Sequence, residues 1–270
     1  MKSEMRHVAI VTGANHGIGA ATAERLAANG VASVITYLRR RVTSDPQTPE
    51  RYQQNRMTSG DDVVDRITLA GGRAVAIEAD LLDATTPAML FDRAEAEFGP
   101  VDILINNATG WTSGDSFAAS GTDSAGRRTP SVTAELFDRT FGVDARAGAL
   151  MIAEFAGRLI ARDGAWGRIV GLTSGGPDGF PSEVTYGAAK VALENYTMSA
   201  ATELGRRGVT ANMVHPPITD SGWVNDAIRQ FAATSSEHFH VAEPDDVAAV
   251  IAWLCTDEAR MVTGNIVRMR

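Results

Sequence analysis

Short apolar runs alternate with longer amphipathic segments along most of this 270-residue chain. The short runs are rich in Val and Ile and almost continuously apolar, which is typical of strands buried on both faces of a parallel sheet. Strands are predicted at residues 7–12, 33–37, 74–79, 101–106, 168–173, 209–214 and 265–269. Helices are predicted at residues 17–29, 61–70, 87–98, 134–161, 183–206 and 245–254. The alternation predicts an α/β fold with a single Rossmann-type, doubly wound parallel sheet of about seven strands and helices on both faces.

Two segments interrupt this alternation. Residues 39–60 are polar and contain two prolines, and residues 110–130 are rich in Gly, Ser and Thr. Loops of this length are usually functional or mobile. No linker divides the chain, so we expect residues 1–270 to form one domain.

Composition and charge narrow the possible partners. The chain is 44% hydrophobic and 21% charged, which suits a packed core. Its net charge of -8 argues against a nucleic acid or an anionic membrane as partner. The single cysteine, Cys255, excludes a disulfide framework and suits a reducing compartment. No apolar run matches a signal peptide or a membrane span, so we expect a cytoplasmic protein.

A glycine-rich loop, TGANHGIG, joins the first predicted strand to the first predicted helix. Gly13, Gly17 and Gly19 would permit a tight turn and a close approach of backbone N–H groups to a diphosphate. This position, directly after the first strand, is the one that a dinucleotide site requires. An ordinary turn between strand and helix is the alternative. His16 could approach a phosphate or face water.

The end of the second predicted strand bears on the choice of cofactor. NAD sites commonly place a carboxylate there, but this chain has Tyr37 followed by Arg39, Arg40 and Arg41. Guanidinium groups suit a 2′-phosphate, so NADP(H) is favoured over NAD(H). A solvated run of charges is the alternative. No metal is expected, because no carboxylate-rich pattern surrounds the HxH pair of His238 and His240.

The stretch TYGAAK places Tyr186 four residues before Lys190, on one face of a predicted helix. An ammonium beside the phenol would lower the pKa of the tyrosine, and such a pair could move a proton near neutral pH. A packed tyrosine with a solvated lysine is the alternative.

Taken together, the glycine loop, the YxxxK pair and the sheet pattern resemble the short-chain dehydrogenase/reductase family. Matching motifs run in order over roughly residues 6–268. Asn106-Asn107-Ala108 is similar to the family's NNAG, and Ser174 matches its catalytic serine. The resemblance implies hydride transfer between NADP(H) and a ketone, 3-oxoacyl thioester or secondary alcohol. Tyr186 would be the acid/base, Lys190 would bind the nicotinamide ribose, and Ser174 would bond the substrate oxygen. The candidate cofactor-binding set is Gly13, Asn15, His16, Gly17, Ile18, Gly19, Tyr37, Arg39, Arg40, Asp80, Leu81, Asn107, Ala108, Thr109, Tyr186, Lys190, Pro216 and Thr219.

The chain departs from the family pattern at a position expected to be catalytic. Asp144 stands where the family has an asparagine, and Thr109 replaces the glycine of NNAG. An ionised Asp144 near Lys190 would stabilise the ammonium and shift the pKa values of the proton-transferring pair, Tyr186 and Lys190. A local backbone bond from this carboxylate is the alternative. A non-catalytic NADP(H)-binding sensor is therefore the rival to an enzyme.

The sequence gives weaker indications of the substrate pocket and of the oligomeric state. Trp111, Phe180 and Trp223 lie in segments that flank the family's substrate cleft and suggest an apolar or ring-bearing carbonyl compound. Packing between loops is the alternative for each. Residues 134–161 and the helix that carries Tyr186 resemble the family's four-helix dimer interface. A homotetramer or homodimer is therefore expected.

Overall fold

A computed structural model describes residues 7–40, 49–118, 121–122, 127–176, 179–235 and 239–270. Its strands are β1 (Val8–Thr12), β2 (Ala32–Tyr37), β3 (Ala74–Glu78), β4 (Ile103–Asn106), β5 (Gly121–Thr122), β6 (Arg128–Thr129), β7 (Gly167–Leu172), β8 (Val209–His215) and β9 (Ile266–Arg268). Its α-helices are α1 (Gly17–Ala28), α2 (Glu50–Asn55), α3 (Asp61–Leu69), α4 (Thr86–Phe98), α5 (Ala134–Thr140), α6 (Gly148–Ala161), α7 (Val184–Leu204), α8 (Asp226–Thr234) and α9 (Pro244–Leu254). A π-helical segment, Phe141–Ala147, joins α5 to α6.

Seven strands form one parallel sheet in the order β3-β2-β1-β4-β7-β8-β9. The predicted fold class is thereby confirmed. The order reverses between β1 and β4, so a crevice opens there at the carboxyl ends of the strands, where open α/β sheets bind ligands. β5 and β6 form a separate antiparallel pair within the segment 110–130.

Alternate residues of each inner strand enter two apolar cores, one on each face of the sheet. On β1, Val8 and Ile10 pack with residues of α4 and α6, whereas Ala9 and Val11 pack with residues of α1 and α9. All five residues of β1 are buried. The continuously apolar strands follow from this two-sided burial, because both side-chain directions leave water.

Besides the β5–β6 pair, three features of the secondary structure differ from the sequence prediction. The segment 39–60 contains the short helix α2, and the segment after β8 contains α8. The predicted helix over residues 134–161 is one continuous helical rod, but its middle is π-helical rather than α-helical. Arg41 and His238, both singled out in the sequence, lie outside the described residues.

Candidate active site

A cleft of about 1170 Å³ lies at the carboxyl edge of the sheet. Loops that follow β1, β2, β3, β4, β7 and β8 all contribute to its lining. The predicted site residues that line it are Gly13, Asn15, His16, Gly17, Ile18, Tyr37, Arg40, Asp80, Leu81, Asn107, Ala108, Thr109, Trp111, Ser174, Phe180, Tyr186, Lys190, Pro216, Thr219 and Trp223. Residues far apart in the chain thus converge on one cleft, whereas Gly19, Arg39 and Asp144 are placed outside its described lining.

The glycine loop is fixed against the end of β4. Asn107 donates from its Nδ2 to the carbonyl oxygens of Thr12 and Gly13, at 2.8 and 2.9 Å. Gly13 has a φ of +65°, and a Cβ there would lie 2.8 Å from the Cα of Ala108. At Gly19 a Cβ would lie 2.4 Å from the Gly13 carbonyl oxygen. Only glycine fits this turn, and Gly19 acts by allowing the close approach from outside the cleft.

The donor set of this loop suits a dinucleotide phosphate. Backbone N–H groups open α1 beside Gly17, and a helix N-terminus favours an anion. The Nδ1 atom of His16 is buried in the cleft wall and has no hydrogen-bond partner among the described residues. Burial, with Arg56 second, lowers the pKa of His16 to about 4. The imidazole is therefore neutral at pH 7.

At the end of β2, one arginine departs from the prediction. Arg39 does not line the cleft in the described part of the chain, because its guanidinium pairs with Glu78, with Nε 2.9 Å from Oε2. Glu78 is the β3 partner of Tyr37 in the sheet register, which the sequence could not show. Arg40 does line the cleft. Asp80 also lines it and accepts a bond from the Leu82 N–H at 2.9 Å.

The catalytic candidates lie on two neighbouring elements. Ser174 follows β7, and Tyr186 and Lys190 lie one turn apart at the start of α7. The Lys190 Nζ is 5.4 Å from the centroid of the Tyr186 ring. Thr173, the neighbour of Ser174, donates its hydroxyl to Glu194. Ser174 lines the cleft beside it.

Asp144 lies behind the cleft in the π-helical segment and is fully buried. Its Oδ1 is 2.9 Å from the Lys190 Nζ, and its Oδ2 accepts bonds from the Gly110 N–H at 2.7 Å and the Thr109 hydroxyl at 3.1 Å. The two alternatives for this carboxylate are both realised, because one oxygen faces the ammonium and the other holds the loop after β4.

The titration of the Tyr–Lys pair differs from the expectation. Burial raises the pKa of Tyr186 to about 12, although the Lys190 ammonium lowers it, and the Asp144 and Glu183 carboxylates raise it further. For Lys190, burial lowers the pKa, but Asp144 and Tyr186 outweigh burial and leave it raised. In the free protein the phenol is therefore protonated at neutral pH rather than poised near it.

Large side chains form the outer wall of the cleft. Trp111 donates from Nε1 to Glu183 at 2.7 Å, and Arg127 donates to the same carboxylate at 2.9 Å. The centroid of the Phe180 ring lies 6.3 Å from the centroid of the Tyr186 ring. Trp223 donates to the Thr219 carbonyl at 2.8 Å. These aromatic residues line the cleft, and two of them also fasten loops through hydrogen bonds, whereas their role toward a substrate stays a prediction.

Sequence reasoning missed several residues of the cleft wall. Tyr52, Arg56, Arg127, Glu183 and Ser221 also line it. Trp111 and Glu183 are 72 residues apart, so no local pattern announces their contact. For Tyr52 and Arg56 a signal existed, because a proline followed by an acidic residue at Pro49-Glu50 is typical of a helix start.

The sheet order, with a glycine loop at the central crevice, defines the class of dinucleotide-binding α/β proteins. A sequence model described as Enoyl-(Acyl carrier protein) reductase matches residues 51–269. A Bacillus subtilis protein named Uncharacterized oxidoreductase YjdA is 32% identical over 272 residues, covering 99% of this chain and 96% of that protein. The chain belongs to the short-chain dehydrogenase/reductase family and is an oxidoreductase of that family.

Solved structures agree with this assignment. The crystal structure of a dehydrogenase/reductase from Sinorhizobium meliloti 1021 has a TM-score of 0.78 at 31% identity, covering 97% of this chain and 93% of that one. The angucycline C-6 ketoreductase LanV with bound NADP has a TM-score of 0.77 at 28% identity, with coverage of 97% and 93%. Across the described residues, no helix is both long and apolar enough to span a membrane.

Proposed function

We propose that this protein is an NADP(H)-dependent carbonyl reductase of small molecules, with Tyr186 as its acid/base. The observation that carries the proposal is the Tyr186–Lys190 pair in the cleft that the glycine loop lines. The bound NADP of the similar ketoreductase LanV supports both the cofactor and the reaction class. A ketone, a 3-oxoacyl thioester or the corresponding secondary alcohol would be the reacting group.

Each residue of the proposed site has a separable task. When bound, the nicotinamide exchanges hydride with the carbonyl carbon of the substrate. Ser174 donates a hydrogen bond to the substrate oxygen and stabilises the charge that develops there. Tyr186 donates its proton to that oxygen, and Lys190 supplies positive charge beside the phenol. The raised pKa of Tyr186 favours reduction, because the phenol begins protonated at neutral pH.

The choice of NADP(H) rests on the end of β2. Arg40 faces the cleft there, whereas Arg39 is held by Glu78. A guanidinium at this place would bind the 2′-phosphate that distinguishes NADP from NAD. Glu78 does not present a free carboxylate to a ribose hydroxyl, because Arg39 occupies it from two nitrogens.

The aromatic wall supports a ring-bearing, apolar substrate. Trp111, Phe180 and Trp223 all line the cleft, and Phe180 packs beside the Tyr186 ring. Aromatic side chains provide large apolar contact areas, which favour a planar carbonyl compound.

We also propose a single-domain, cytoplasmic protein that assembles as a homotetramer or homodimer. The helices expected at the interface expose large apolar side chains. These are Phe137 on α5, Ile160 on α6, and Val191 and Tyr196 on α7. Such side chains on adjoining helices are typical of surfaces that a second copy covers.

A non-catalytic NADP(H)-binding sensor is the second candidate. The observation that favours it is the ion pair from Asp144 to Lys190, because it engages the ammonium that the reaction would use. A panel of carbonyl compounds assayed with NADPH and NADH separates the two. If none of these compounds leads to oxidation of NADPH, the result would support the sensor.

The sharpest test of the enzyme is Tyr186→Phe, which removes one oxygen atom and the proton that it carries. We expect turnover to fall by about 10²- to 10⁴-fold, because a positioned proton donor contributes that much. The dissociation constant for NADPH should be unchanged. Tyr196→Phe, on the same helix but outside the cleft lining, is the matched control and should leave both quantities unchanged. Unaltered turnover in Tyr186→Phe would contradict the assigned role.

A further inference from the structure

Residues 49–60, here called the α2 segment, lie against the glycine loop. Asn15 donates from Nδ2 to the carbonyl oxygens of Asn55 and Thr58, at 3.3 and 2.9 Å. The ring of Tyr52, which is buried, meets the His16 ring edge-on at 6.1 Å between centroids. The insertion that follows β2 therefore returns to the site and is held there by the loop itself.

The same segment reaches across the cleft to the opposite wall. Asn55 donates from Nδ2 to the carbonyl oxygen of Ser221, in the loop after β8, at 3.0 Å. Tyr52 also meets the Trp111 ring at 6.2 Å between centroids. The α2 segment thus connects loops that follow β1, β4 and β8, and it spans the crevice in which the sheet order reverses.

Arg56, which follows α2, is a cation of this segment that lines the cleft. Its backbone carbonyl accepts from the Arg40 N–H at 3.0 Å, near the end of β2. Its guanidinium reaches away from that point and donates to the Trp111 carbonyl, after β4, at 3.1 Å. The Arg56 guanidinium packs over the Tyr52 ring at 5.4 Å and lines the cleft. Its positive charge also contributes to the lowered pKa of His16 in the glycine loop.

We propose that Arg56 binds the diphosphate of the dinucleotide from the α2 segment, beside the glycine loop. The assignment rests on the proposed function, since it needs a dinucleotide in this cleft. A diphosphate at the crevice between β1 and β4 would lie between the α1 N-terminus and this guanidinium. The planar fork has donors beyond the one that Trp111 uses, and it forms strong paired bonds with phosphate oxygens.

The position of the guanidinium distinguishes the diphosphate from the 2′-phosphate. The 2′-phosphate belongs at the end of β2, where Arg40 lines the cleft. Arg56 starts from that region but extends to the loop after β4, one strand beyond β1 in the sheet. Arg56 therefore supports binding of NADPH and NADH alike, whereas Arg40 supports NADPH alone.

The test is a fluorescence titration of Arg56→Gln with NADPH and with NADH at one fixed salt concentration. Both dissociation constants should rise by the same factor, about ten- to a hundredfold, as for the loss of a charged hydrogen bond. Arg51→Gln is the matched control, because Arg51 lies on α2 outside the cleft lining with its side chain largely exposed near Asp220. It should bind both nucleotides as the unchanged protein does. Arg40→Gln should weaken NADPH and spare NADH.

Three results would overturn the proposal. Unchanged binding of both nucleotides by Arg56→Gln would show that Arg56 only holds Trp111, and a loss confined to NADPH would place it at the 2′-phosphate. Failure of the unchanged protein to bind either nucleotide would remove the proposed function and this assignment together. If thermal melts show that Arg56→Gln is unfolded, Arg56→Lys replaces it. That variant keeps the charge without the fork and should weaken both nucleotides by a smaller common factor.

Discussion

Opposite charges are buried together behind the cleft, on Asp144 and Lys190. The exposed fraction of the two side chains is 0% and 2%, so water screens their attraction little. The family pattern has an uncharged asparagine at position 144. The carboxylate raises the pKa values of both Lys190 and Tyr186, so both side chains stay protonated to higher pH.

Asp144→Asn tests this electrostatic role. The amide keeps an oxygen for the Gly110 N–H but loses the negative charge, so the pKa values of Tyr186 and Lys190 should both fall. Ketone reduction needs the protonated phenol, so its rate should begin to decline at lower pH than in the unchanged protein. Alcohol oxidation needs the phenolate, and its rising limb should also move to lower pH. The pH profile of kcat/KM in each direction measures the shift.

The control for that experiment is Asp163→Asn, an exposed carboxylate paired with Arg207. It should leave both profiles in place. A profile of Asp144→Asn that is unmoved, or displaced to higher pH, would contradict the assignment. Removing one partner of a buried pair also costs stability, up to about 3–5 kcal/mol, so denaturation midpoints are measured beside the rates.

At the residue scale, the sequence predicted the proximity of Asp144 and Lys190 but not the titration of Tyr186. The resemblance to the family implied this proximity, because Asp144 stands at the position of the family's catalytic asparagine. The pKa of a phenol depends on how completely other atoms exclude water from it and on the charges around it, and some of these groups, such as Asp144 and Tyr52, come from distant segments.

At the scale of secondary-structure elements, the glycine loop before α1 keeps its conformation only because Gly19 lies very close to the Gly13 backbone. Gly19→Ala would place a methyl group 2.4 Å from the Gly13 carbonyl oxygen and 2.6 Å from the Asn107 Nδ2. The loop must shift, which we expect to cost about 1–3 kcal/mol of unfolding free energy and to weaken dinucleotide binding at least about tenfold. Chemical denaturation and nucleotide titration measure the two effects.

Gly157→Ala is the comparison for this substitution. Gly157 lies on the exposed side of α6, and no described atom comes within 4 Å of a Cβ added there. Alanine is the better helix former, so this variant should gain about 0.5–1 kcal/mol and bind nucleotide unchanged. Equal stability changes in the two variants would show that the close approach at Gly19 has no special cost.

Some helices could be predicted from the sequence and others could not, depending on how clear their apolar periodicity is. Long amphipathic segments, such as α4 and α9, were predicted within a residue or two. The six-residue helix α2 shows too little periodicity to be recognised, although Pro49-Glu50 marks its start. The π-helical turn at Phe141–Ala147 leaves no mark on an apolar pattern, because it depends on how the rod packs against α7.

At the scale of the whole molecule, the single cysteine reports on global opening. Cys255 is buried, and burial raises the pKa of its thiol to about 12. The reactive thiolate is therefore scarce and sterically covered. We expect labelling by a thiol reagent at pH 8 to be on the order of a thousandfold slower in the native protein than in denaturant. Labelling of the native protein at the unfolded rate would contradict the burial of this helix end.

What the sequence determined by itself is the parallel sheet, the glycine loop and the order of the catalytic candidates. These depend on short-range patterns, namely apolar runs, glycine spacing and the YxxxK turn, which need few distant partners. Tertiary structure alone decided that Arg39 faces Glu78, that Asp144 divides its oxygens between Lys190 and Gly110, and that Arg56 crosses the crevice. The physical reason is that each of these contacts joins residues far apart in the chain, and their charges and hydrogen bonds form only after the two-sided core has brought the loops together.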